Sequence, residues 1–303
     1  MSSLLELTSQ GDVGTMTDES KLSSFQLMTP QQLYELWEKQ NWISSEIDLS
    51  RDVEDWASFD ERTKADIAWS LSSFFIGEER VTTQFSGLVM SYEDQSEEAF
   101  LATQQVDEAR HAQHFNRFYD QVVGLDMTFD ERLDDVRRHV SDAFVTLFDE
   151  HLVNANRQLV ANPGDIEAKV DFVTTYHMVI EGTLALTGQY TITEWCEREN
   201  VLQGFLEGFK RISQDEHRHV AYGTWFLQQK CKDPGHARRV QDKLMELLPI
   251  AAGVLAPPGV DPFTEEWELM GFKSAEVNEF AFKALTRRLK VIGVGLPEVA
   301  APA

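Results

Sequence analysis

The segment Asp107–His111 reads DEARH, and it recurs with one change as DEHRH at Asp215–His219. In each copy a glutamate is followed by a histidine three residues later. Positions i and i+3 lie on one face of an α-helix, so both side chains of a copy can reach the same point. Two copies on separate helices indicate a bundle built from two related pairs of helices.

Prolines divide the chain into long helical stretches. None occurs between Pro30 and Pro163 or between Pro163 and Pro234, and apolar residues recur there with the helical period. Strand signals are nearly absent, so we predict an all-α protein, in which Asp165 can cap the helix that follows Pro163. The predicted helices span 31–40, 63–92, 96–123, 130–161, 165–198, 202–231, 236–254 and 273–290. We expect one domain at 31–296, between a flexible N-terminal segment at 1–30 and a flexible tail at 297–303.

The charge balance excludes some partners. A net charge of -24 among 303 residues repels phosphate backbones and anionic lipid surfaces, so we expect neither nucleic acid nor membrane as a partner. The N-terminus lacks the basic and apolar regions of a signal peptide, and no apolar run is long enough to cross a bilayer. The two cysteines, Cys196 and Cys231, cannot form a disulfide framework. These features fit a cytoplasmic protein.

Four apolar helix faces each carry a glutamate near the middle. These faces must turn towards the core, where an isolated carboxylate costs several kcal/mol. The same faces have too few basic residues to neutralise the acids, so a bound cation is the simplest explanation. The candidate ligands are Glu78, Glu108, Glu181 and Glu216, with His111 and His219 one turn after the second and fourth glutamates.

The order Glu, Glu-x-x-His, Glu, Glu-x-x-His is typical of ferritin-like dimetal carboxylate bundles. We therefore predict a ferritin-like four-helix bundle with additional flanking helices and two metal ions, with a buried polar network as the alternative. Oxygen and imidazole ligands favour iron or manganese. The register excludes Glu79, His114 and His217 as ligands. Asp215 either accepts a hydrogen bond from a metal-bound imidazole or is an exposed helix carboxylate.

Several segments resemble a known family. Trp42–Asp52 resembles the lead-in to the bundle of the small, radical-bearing subunit of ribonucleotide reductase. The likeness continues through Phe75–Thr82, Val179–Gly188 and both pentapeptides, over roughly residues 40–230. It is strongest to one branch, the ligand-binding oxidases, which assemble a manganese–iron or diiron site, activate O2 and bind a long-chain fatty acid.

The resemblance assigns roles to particular residues. It implies that Glu78, Glu108 and His111 hold the first metal ion, that Glu181, Glu216 and His219 hold the second, and that Glu108 and Glu216 bridge them. In that branch a valine becomes ether-linked to a tyrosine, and Val81 and Tyr176 stand at those positions. The alternative is that both are plain core residues. On an ideal α-helix Tyr176 points about 140° away from Glu181, and a π-bulge would remove this offset.

Other functions compete with an oxidase that acts on a small hydrophobic ligand. A true reductase subunit usually has a radical tyrosine where Phe115 stands, although manganese–iron versions lack it, and needs a tyrosine in its tail. Here the last tyrosine is Tyr222. A monooxygenase or N-oxygenase and a metal-storage bundle are further alternatives, and the resemblance also implies a homodimer. We expect five phenylalanines to help line a dry cavity, although core packing alone also explains them: Phe74, Phe85, Phe115, Phe205 and Phe209.

Overall fold

Helices account for nearly all regular structure in the computed structural model, which describes residues 26–296. The predicted flexible segments lie outside this range, except for residues 26–30. The helices are α1 (Pro30–Gln40), α2 (Ser50–Ser58), α3 (Glu61–Gln84), α4 (Ser86–Met90), α5 (Gln95–Phe118), α6 (Phe129–Val136), α7 (Asp142–Val145), α8 (Val153–Ala161), α9 (Ile166–Val173), α10 (Leu186–Glu199), α11 (Gln203–Lys230), α12 (Pro234–Leu255) and α13 (Ser274–Ile292). The all-α prediction is confirmed.

Short segments of other types complete the described part of the chain. Two-residue strands, β1 (Glu268–Leu269) and β2 (Phe272–Lys273), form an antiparallel pair just before α13. Three π-helical and two 3-10 segments join or extend the helices. The π-helical segments are Tyr119–Val123, Thr146–Leu152 and Thr174–Ala185, and the 3-10 segments are Ser44–Glu46 and Arg137–His139.

Four long helical rods form the bundle that carries the candidate ligands. The rods are α3, α5, α11 and the continuous run α9–π–α10. Helix α3 packs against α5, α5 packs against α11, and α11 packs against the π-helical segment. Three of the four rods begin with a side-chain cap: Asp60 accepts from Thr63 N, Asp94 from Ser96 N and Glu97 N, and Asp165 from Glu167 N and Ala168 N. No helix within residues 26–296 has the length and apolarity that a bilayer crossing requires.

The prediction of one helix over 130–161 is wrong. Helix α6 ends at Val136, Val140 is extended, and Ser141 then caps a new helix by accepting from Phe144 N at 3.2 Å. The local reason is the capping hydroxyl, since a serine that bonds to the backbone competes with continuous helical hydrogen bonding. The periodicity continued across this break and so concealed it.

The π-helical segment Thr174–Ala185 changes the register of the third rod. Thr183 Oγ1 donates to Met178 O five residues earlier, at 2.7 Å. Arg288, a buried residue of α13, donates to Gly182 O and so satisfies a carbonyl within this segment. The segment lets residues five apart share a face, which an α-helix does not. A π-helical segment, which would remove the offset between Tyr176 and Glu181, is present.

Helix α2 holds the start of α11. The backbone bends sharply at Leu202, where φ is +50°, and no side chain within α11 caps its first turn. Buried Asp52 supplies that cap by accepting from Gly204 N at 3.0 Å and Phe205 N at 2.6 Å, while Asp55 accepts from Leu202 N at 2.8 Å. The lead-in segment therefore fixes the position of the helix that carries the second pentapeptide.

Replacing this cap is expected to destabilise the fold. Asp52→Ala leaves the N–H groups of Gly204 and Phe205 without this acceptor, so the free energy of unfolding should fall by about 2 kcal/mol. Urea denaturation followed by circular dichroism measures this. Glu54→Ala, on an exposed position of the same helix, is the matched control. Equal stability of the two variants would show that Asp52 does not cap α11.

Candidate metal centre

The six candidate ligands come together at the middle of the bundle. Their ligand atoms form two groups of four, and within each group all atoms lie within 4.8 Å of one another. Glu108 and Glu216 belong to both groups, as bridging carboxylates would. The first group is Glu78, Glu108, His111 and Glu216, and the second is Glu108, Glu181, Glu216 and His219. We call these six residues the cage.

Each imidazole directs its Nδ1 atom at carboxylates of the cage. His111 Nδ1 lies 3.3 Å from Glu78 Oε2 and 3.3 Å from Glu216 Oε1. His219 Nδ1 lies 3.1 Å from Glu108 Oε1 and 3.2 Å from Glu181 Oε1. The Nδ1 atom of each ring is therefore the one placed to bind a metal ion.

The other nitrogen of each ring meets an aspartate from the opposite pentapeptide. Asp215 Oδ2 lies 3.1 Å from His111 Nε2, and Asp107 Oδ2 lies 3.1 Å from His219 Nε2. Donation from Nε2 to a carboxylate leaves the lone pair on Nδ1, which is the arrangement of many metal-bound histidines. Asp215 is buried, so the alternative of an exposed helix carboxylate is wrong.

Two arginines bind both aspartates. Arg218 Nη2 donates to Asp107 Oδ2 at 3.0 Å and to Asp215 Oδ1 at 2.5 Å. Arg110 pairs with Asp107 and, at 3.1 Å, with Asp215. The guanidinium groups and His111 hold the pKa of Asp215 well below its usual value, although burial acts to raise it. Asp215 therefore stays ionised next to the cage.

Burial and neighbouring charges shift the pKa values of five residues of the cage. Burial raises the pKa of Glu78 and of Glu181 well above the usual value. Burial also acts to raise the pKa of Glu108, but His219 and His111 outweigh it and hold that pKa low. For His111 and His219, burial lowers the pKa, and the neighbouring carboxylates outweigh it, so both pKa values lie well above the usual value.

The donor set fits two divalent metal ions. Six buried carboxylates, counting Asp107 and Asp215, face two guanidinium groups, so four negative charges remain when the imidazoles are neutral. Two divalent cations would supply that charge. Glu181 Oε2 and Glu216 Oε2 are buried and have no hydrogen-bond partner, although such groups are normally paired. Carboxylate and imidazole donors suit iron and manganese.

Tyr176 extends the cage through hydrogen bonds. Its Oη donates to Glu108 Oε1 at 2.5 Å and contacts Glu181 Oε1. Gln104 Nε2 donates to Tyr176 Oη at 3.2 Å and to Glu181 Oε1 at 3.3 Å, and Gln104 Oε1 lies 3.3 Å from His177 Nε2. Burial and the adjacent carboxylates raise the pKa of Tyr176 well above its usual value, so its phenol keeps its proton.

An apolar cavity opens onto the cage. Val81 and Tyr176 both line it, together with four carboxylates of the cage. The cavity encloses about 860 Å³ of empty space, including its open mouth. Its lining residues on α3 run from Trp69 to Val81, and Val254, Leu255 and Trp267 also line it.

The prediction about aromatic lining is largely wrong. Of the five phenylalanines, Phe74 lines the cavity, while Phe144 and Phe148 take the place of the others. Phe115, Phe205 and Phe209 instead pack on one another in the core, with ring centroids 5.1 to 6.1 Å apart. Phe85 packs edge-on against Tyr176 at 5.5 Å. The helical pattern marks these side chains as buried but does not tell cavity wall from solid core.

Three neighbours that the register excluded lie outside both groups of ligands. His114 is buried among aromatic rings, and burial lowers its pKa to about 3. His217 Nδ1 contacts Ser213 O at 2.5 Å, one turn earlier. Glu79 is half-buried, near Arg80 and Arg137.

Two residues of the site were not predicted from the sequence. Asp107 is the counterpart of Asp215 in the first pentapeptide, and the repeat itself was the signal that could have identified it. Gln104 lies one turn before Glu108 on the same apolar face, where a polar side chain is unexpected. Its amide connects Tyr176, Glu181 and His177.

Comparison with known proteins identifies relatives. The family model described as ribonucleotide reductase, small chain, matches residues 20–293. Two variants of an R2-like ligand-binding oxidase, with anaerobically and aerobically reconstituted Mn/Fe cofactor, are 27% and 26% identical to this chain. Both matches cover 88% of this chain. They cover 94% and 97% of the two oxidase chains, with TM-scores of 0.76 and 0.77. The R2-like ligand-binding oxidase from Sulfolobus acidocaldarius shares the fold, at 23% identity, 88% and 92% coverage and a TM-score of 0.73.

Metal binding is expected to release protons. In the metal-free fold the pKa values of His111 and His219 are raised, so both imidazoles hold a proton at neutral pH, whereas only the neutral ring binds a metal. The apparent affinity for Fe²⁺ or Mn²⁺ should therefore rise as the pH rises through the neutral range. Anaerobic calorimetric titrations in buffers of different ionisation heat measure the released protons. An affinity independent of pH, with no proton release, would contradict this charge assignment.

Removing a shared carboxylate is expected to empty at least one metal position. Because Glu108 belongs to both groups, Glu108→Ala should reduce the bound metal below two ions per chain in elemental analysis. Glu79→Ala is the matched control, because Glu79 is a glutamate of α3 that lies outside the cage. This variant should keep the wild-type metal content. Unchanged metal content in Glu108→Ala would refute the cage.

Proposed function

We propose that this chain, which belongs to the ribonucleotide reductase small-chain family, is a dimetal oxidase that activates O2 next to a bound long-chain ligand. The observation that carries the proposal is the apolar cavity that opens directly onto the cage. An oxidising centre beside an apolar chamber suits the oxidation of C–H bonds, because the chamber excludes water and holds an apolar substrate.

The cavity favours an amphipathic ligand. Its length along α3, from Glu78 to Ser70, is about 12 Å at the helical rise, and its wall is mostly apolar. One end presents the cage, where two metal ions would attract an anionic head group. A fatty acid combines a carboxylate with a long apolar chain, so we propose a long-chain fatty acid as the occupant. The R2-like relatives are named ligand-binding oxidases, which agrees with this choice.

The cage would hold manganese and iron, or two iron ions. Glu78 and His111 would bind one ion and Glu181 and His219 the other, with Glu108 and Glu216 shared between them. The metal pair, when bound, supplies the binding and reduction of O2. Asp215 and Asp107 keep the two imidazoles in the tautomer that binds metal.

The side chains nearest the cage define a self-oxidation. Val81 and Tyr176 share the cavity wall beside the carboxylates. We propose that the Val81 Cβ–H bond and the Tyr176 O–H bond break and that a Cβ–Oη ether bond forms. The pair loses two electrons and two protons, and O2 is the oxidant that accepts them. Glu108 accepts the hydrogen bond from Tyr176 Oη and so is placed to receive the phenol proton.

Radical delivery to a large reductase subunit is the less favoured alternative. Phe115 stands where that subunit usually has its radical tyrosine, and here it is fully buried and stacked on Phe74 at 5.7 Å. A phenylalanine has no O–H group to form a tyrosyl radical, but manganese–iron versions of that subunit also lack this tyrosine, so Phe115 alone does not separate the two functions. The cavity also has no role in radical delivery. The homodimer and the cytoplasmic location stay predictions.

The ether bond is the most specific test. After aerobic loading with metal, peptide mass spectrometry should find the Val81 and Tyr176 peptides joined, with a combined mass two hydrogens lighter, because both X–H bonds are lost. Tyr176→Phe lacks the phenol oxygen, so the joined peptide should be absent while both metals still bind.

The possible outcomes separate the parts of the proposal. Unlinked peptides at full metal occupancy would refute the oxidase assignment and leave the metal cage intact. Solvent extraction of the same sample, followed by mass spectrometry, should release a long-chain fatty acid. A sample with no organic ligand, and none taken up when a fatty acid is added, would refute the ligand assignment.

A further inference from the structure

One end of the cavity lies away from the cage, where the first half of α3 approaches the segment before β1. Ser70 and Glu78 both line the cavity, and Ser70 lies about 12 Å from Glu78 along α3. Trp267 precedes β1 and lines the same cavity. Its neighbour Glu268 lines a surface pocket together with Asp66, which lies one turn before Ser70. Ser70 and Trp267 therefore lie at the same end of the cavity, which we call the distal end.

Both side chains at the distal end carry a polar atom with no partner. Ser70 and Trp267 are each 8% exposed, and Ser70 Oγ and Trp267 Nε1 form no hydrogen bond with the protein. Buried polar groups of folded proteins are nearly always paired, because an unpaired group loses its hydrogen bonds to water. Two unpaired groups at one end of one cavity indicate that a ligand of the cavity is their partner.

The other serine and threonine residues of the cavity wall are paired. Each donates to a carbonyl of its own helix: Ser73 to Trp69 O at 3.2 Å, Thr187 to Thr183 O at 2.6 Å, and Thr191 to Gly188 O at 3.1 Å. A hydroxyl group within a helix commonly bonds to its own backbone in this way. Ser70 does not, so its hydroxyl is available to a ligand.

The chemistry of the two groups defines the ligand atom that they can bind. An indole N–H only donates, whereas a serine hydroxyl both donates and accepts. The partner must therefore contain an acceptor, such as the oxygen of a hydroxyl or keto group. Among residues 26–296, the charged side chains that line the cavity are all carboxylates: Glu78, Glu108, Glu181 and Glu216. A second carboxylate at the distal end would thus be an unpaired charge, which favours a neutral group.

We infer that the cavity binds a long-chain fatty acid that carries a neutral oxygen, as a hydroxyl or keto group, part-way along its chain. The inference rests on the proposed function and narrows its ligand class. The carboxylate of the ligand faces the metal ions, and Trp267 Nε1 donates to the chain oxygen at the distal end. Ser70 Oγ donates to a keto oxygen or accepts from a hydroxyl group. An unsubstituted hydrocarbon chain leaves both groups unpaired and so binds less tightly.

Competition between two fatty acids tests the inference. Oleate and ricinoleate have the same chain, except that ricinoleate carries a hydroxyl group part-way along it. The metal-loaded protein is equilibrated with an equimolar excess of both acids, separated from free ligand and extracted with solvent. Mass spectrometry then quantifies the two acids. Wild-type protein should retain ricinoleate over oleate by at least about fivefold, which is the effect of one added hydrogen bond.

Two substitutions test the assigned residues. Ser70→Ala and Trp267→Phe each remove one polar group and keep an apolar side chain in the wall. Each should lower the ratio of ricinoleate to oleate by at least about twofold, because one of the two contacts is lost. Ser73→Ala is the matched control and should keep the wild-type ratio, because Ser73 lines the same cavity and its hydroxyl is paired with Trp69 O. Ser70→Ala deletes a single oxygen atom and is decisive alone if Trp267→Phe does not fold.

Three results would overturn the inference. Equal retention of oleate and ricinoleate by wild-type protein would contradict it and leave the proposed function standing. A preference for ricinoleate that Ser70→Ala and Trp267→Phe both keep would do the same. Retention of neither acid would refute the proposed fatty-acid ligand, and the inference with it.

Discussion

The burial of four glutamates on the inward faces of four helical rods is the constraint on which the rest of the structure depends. Glu78, Glu108, Glu181 and Glu216 are each less than 10% exposed. A buried carboxylate is costly unless it is paired, protonated or bound to a metal. The two imidazoles, the two guanidinium groups and Tyr176 satisfy part of this requirement, and two divalent cations would neutralise the negative charge that remains. The arrangement of the bundle thus depends on neutralising these buried carboxylates as well as on apolar packing.

The repeated pentapeptide satisfies part of this requirement through hydrogen bonds between the two halves of the bundle. The aspartate of each copy bonds to the histidine of the other copy, so α5 and α11 each complete the other's ligand. Arg110 and Arg218 bind both aspartates and join the copies into one network. Because buried polar networks have few alternative arrangements, this exchange also fixes the relative position of the two helices. Trp42 and Trp37 donate to Asp215 and Asp107, respectively, and so connect this network to the segment before the bundle.

Much of the site could be predicted from the sequence, because residue spacing alone shows when a charged residue lies on an apolar helix face. Glu78 stood out for that reason, and the Glu-x-x-His spacing identified four more ligands. Glu181 was convincing only as a member of the order Glu, Glu-x-x-His, Glu, Glu-x-x-His. Partners across the bundle were not visible, since the bond from Asp107 to His219 depends on how two helices cross. The break near Ser141 was hidden because a local hydroxyl cap interrupts a continuing periodicity. The cavity lining was missed for a related reason: periodicity shows that Phe115 is buried but not which neighbours surround it.

The most direct test of the cage is anomalous diffraction from crystals of the metal-loaded protein, with data collected at the iron and manganese absorption edges. Two peaks should lie between α3, α5, α11 and the π-helical segment Thr174–Ala185, about 3.5–4 Å apart, with Glu108 and Glu216 shared between them. A single peak, peaks on the protein surface, or an ordered cage with no metal in crystals grown at saturating metal would contradict the account.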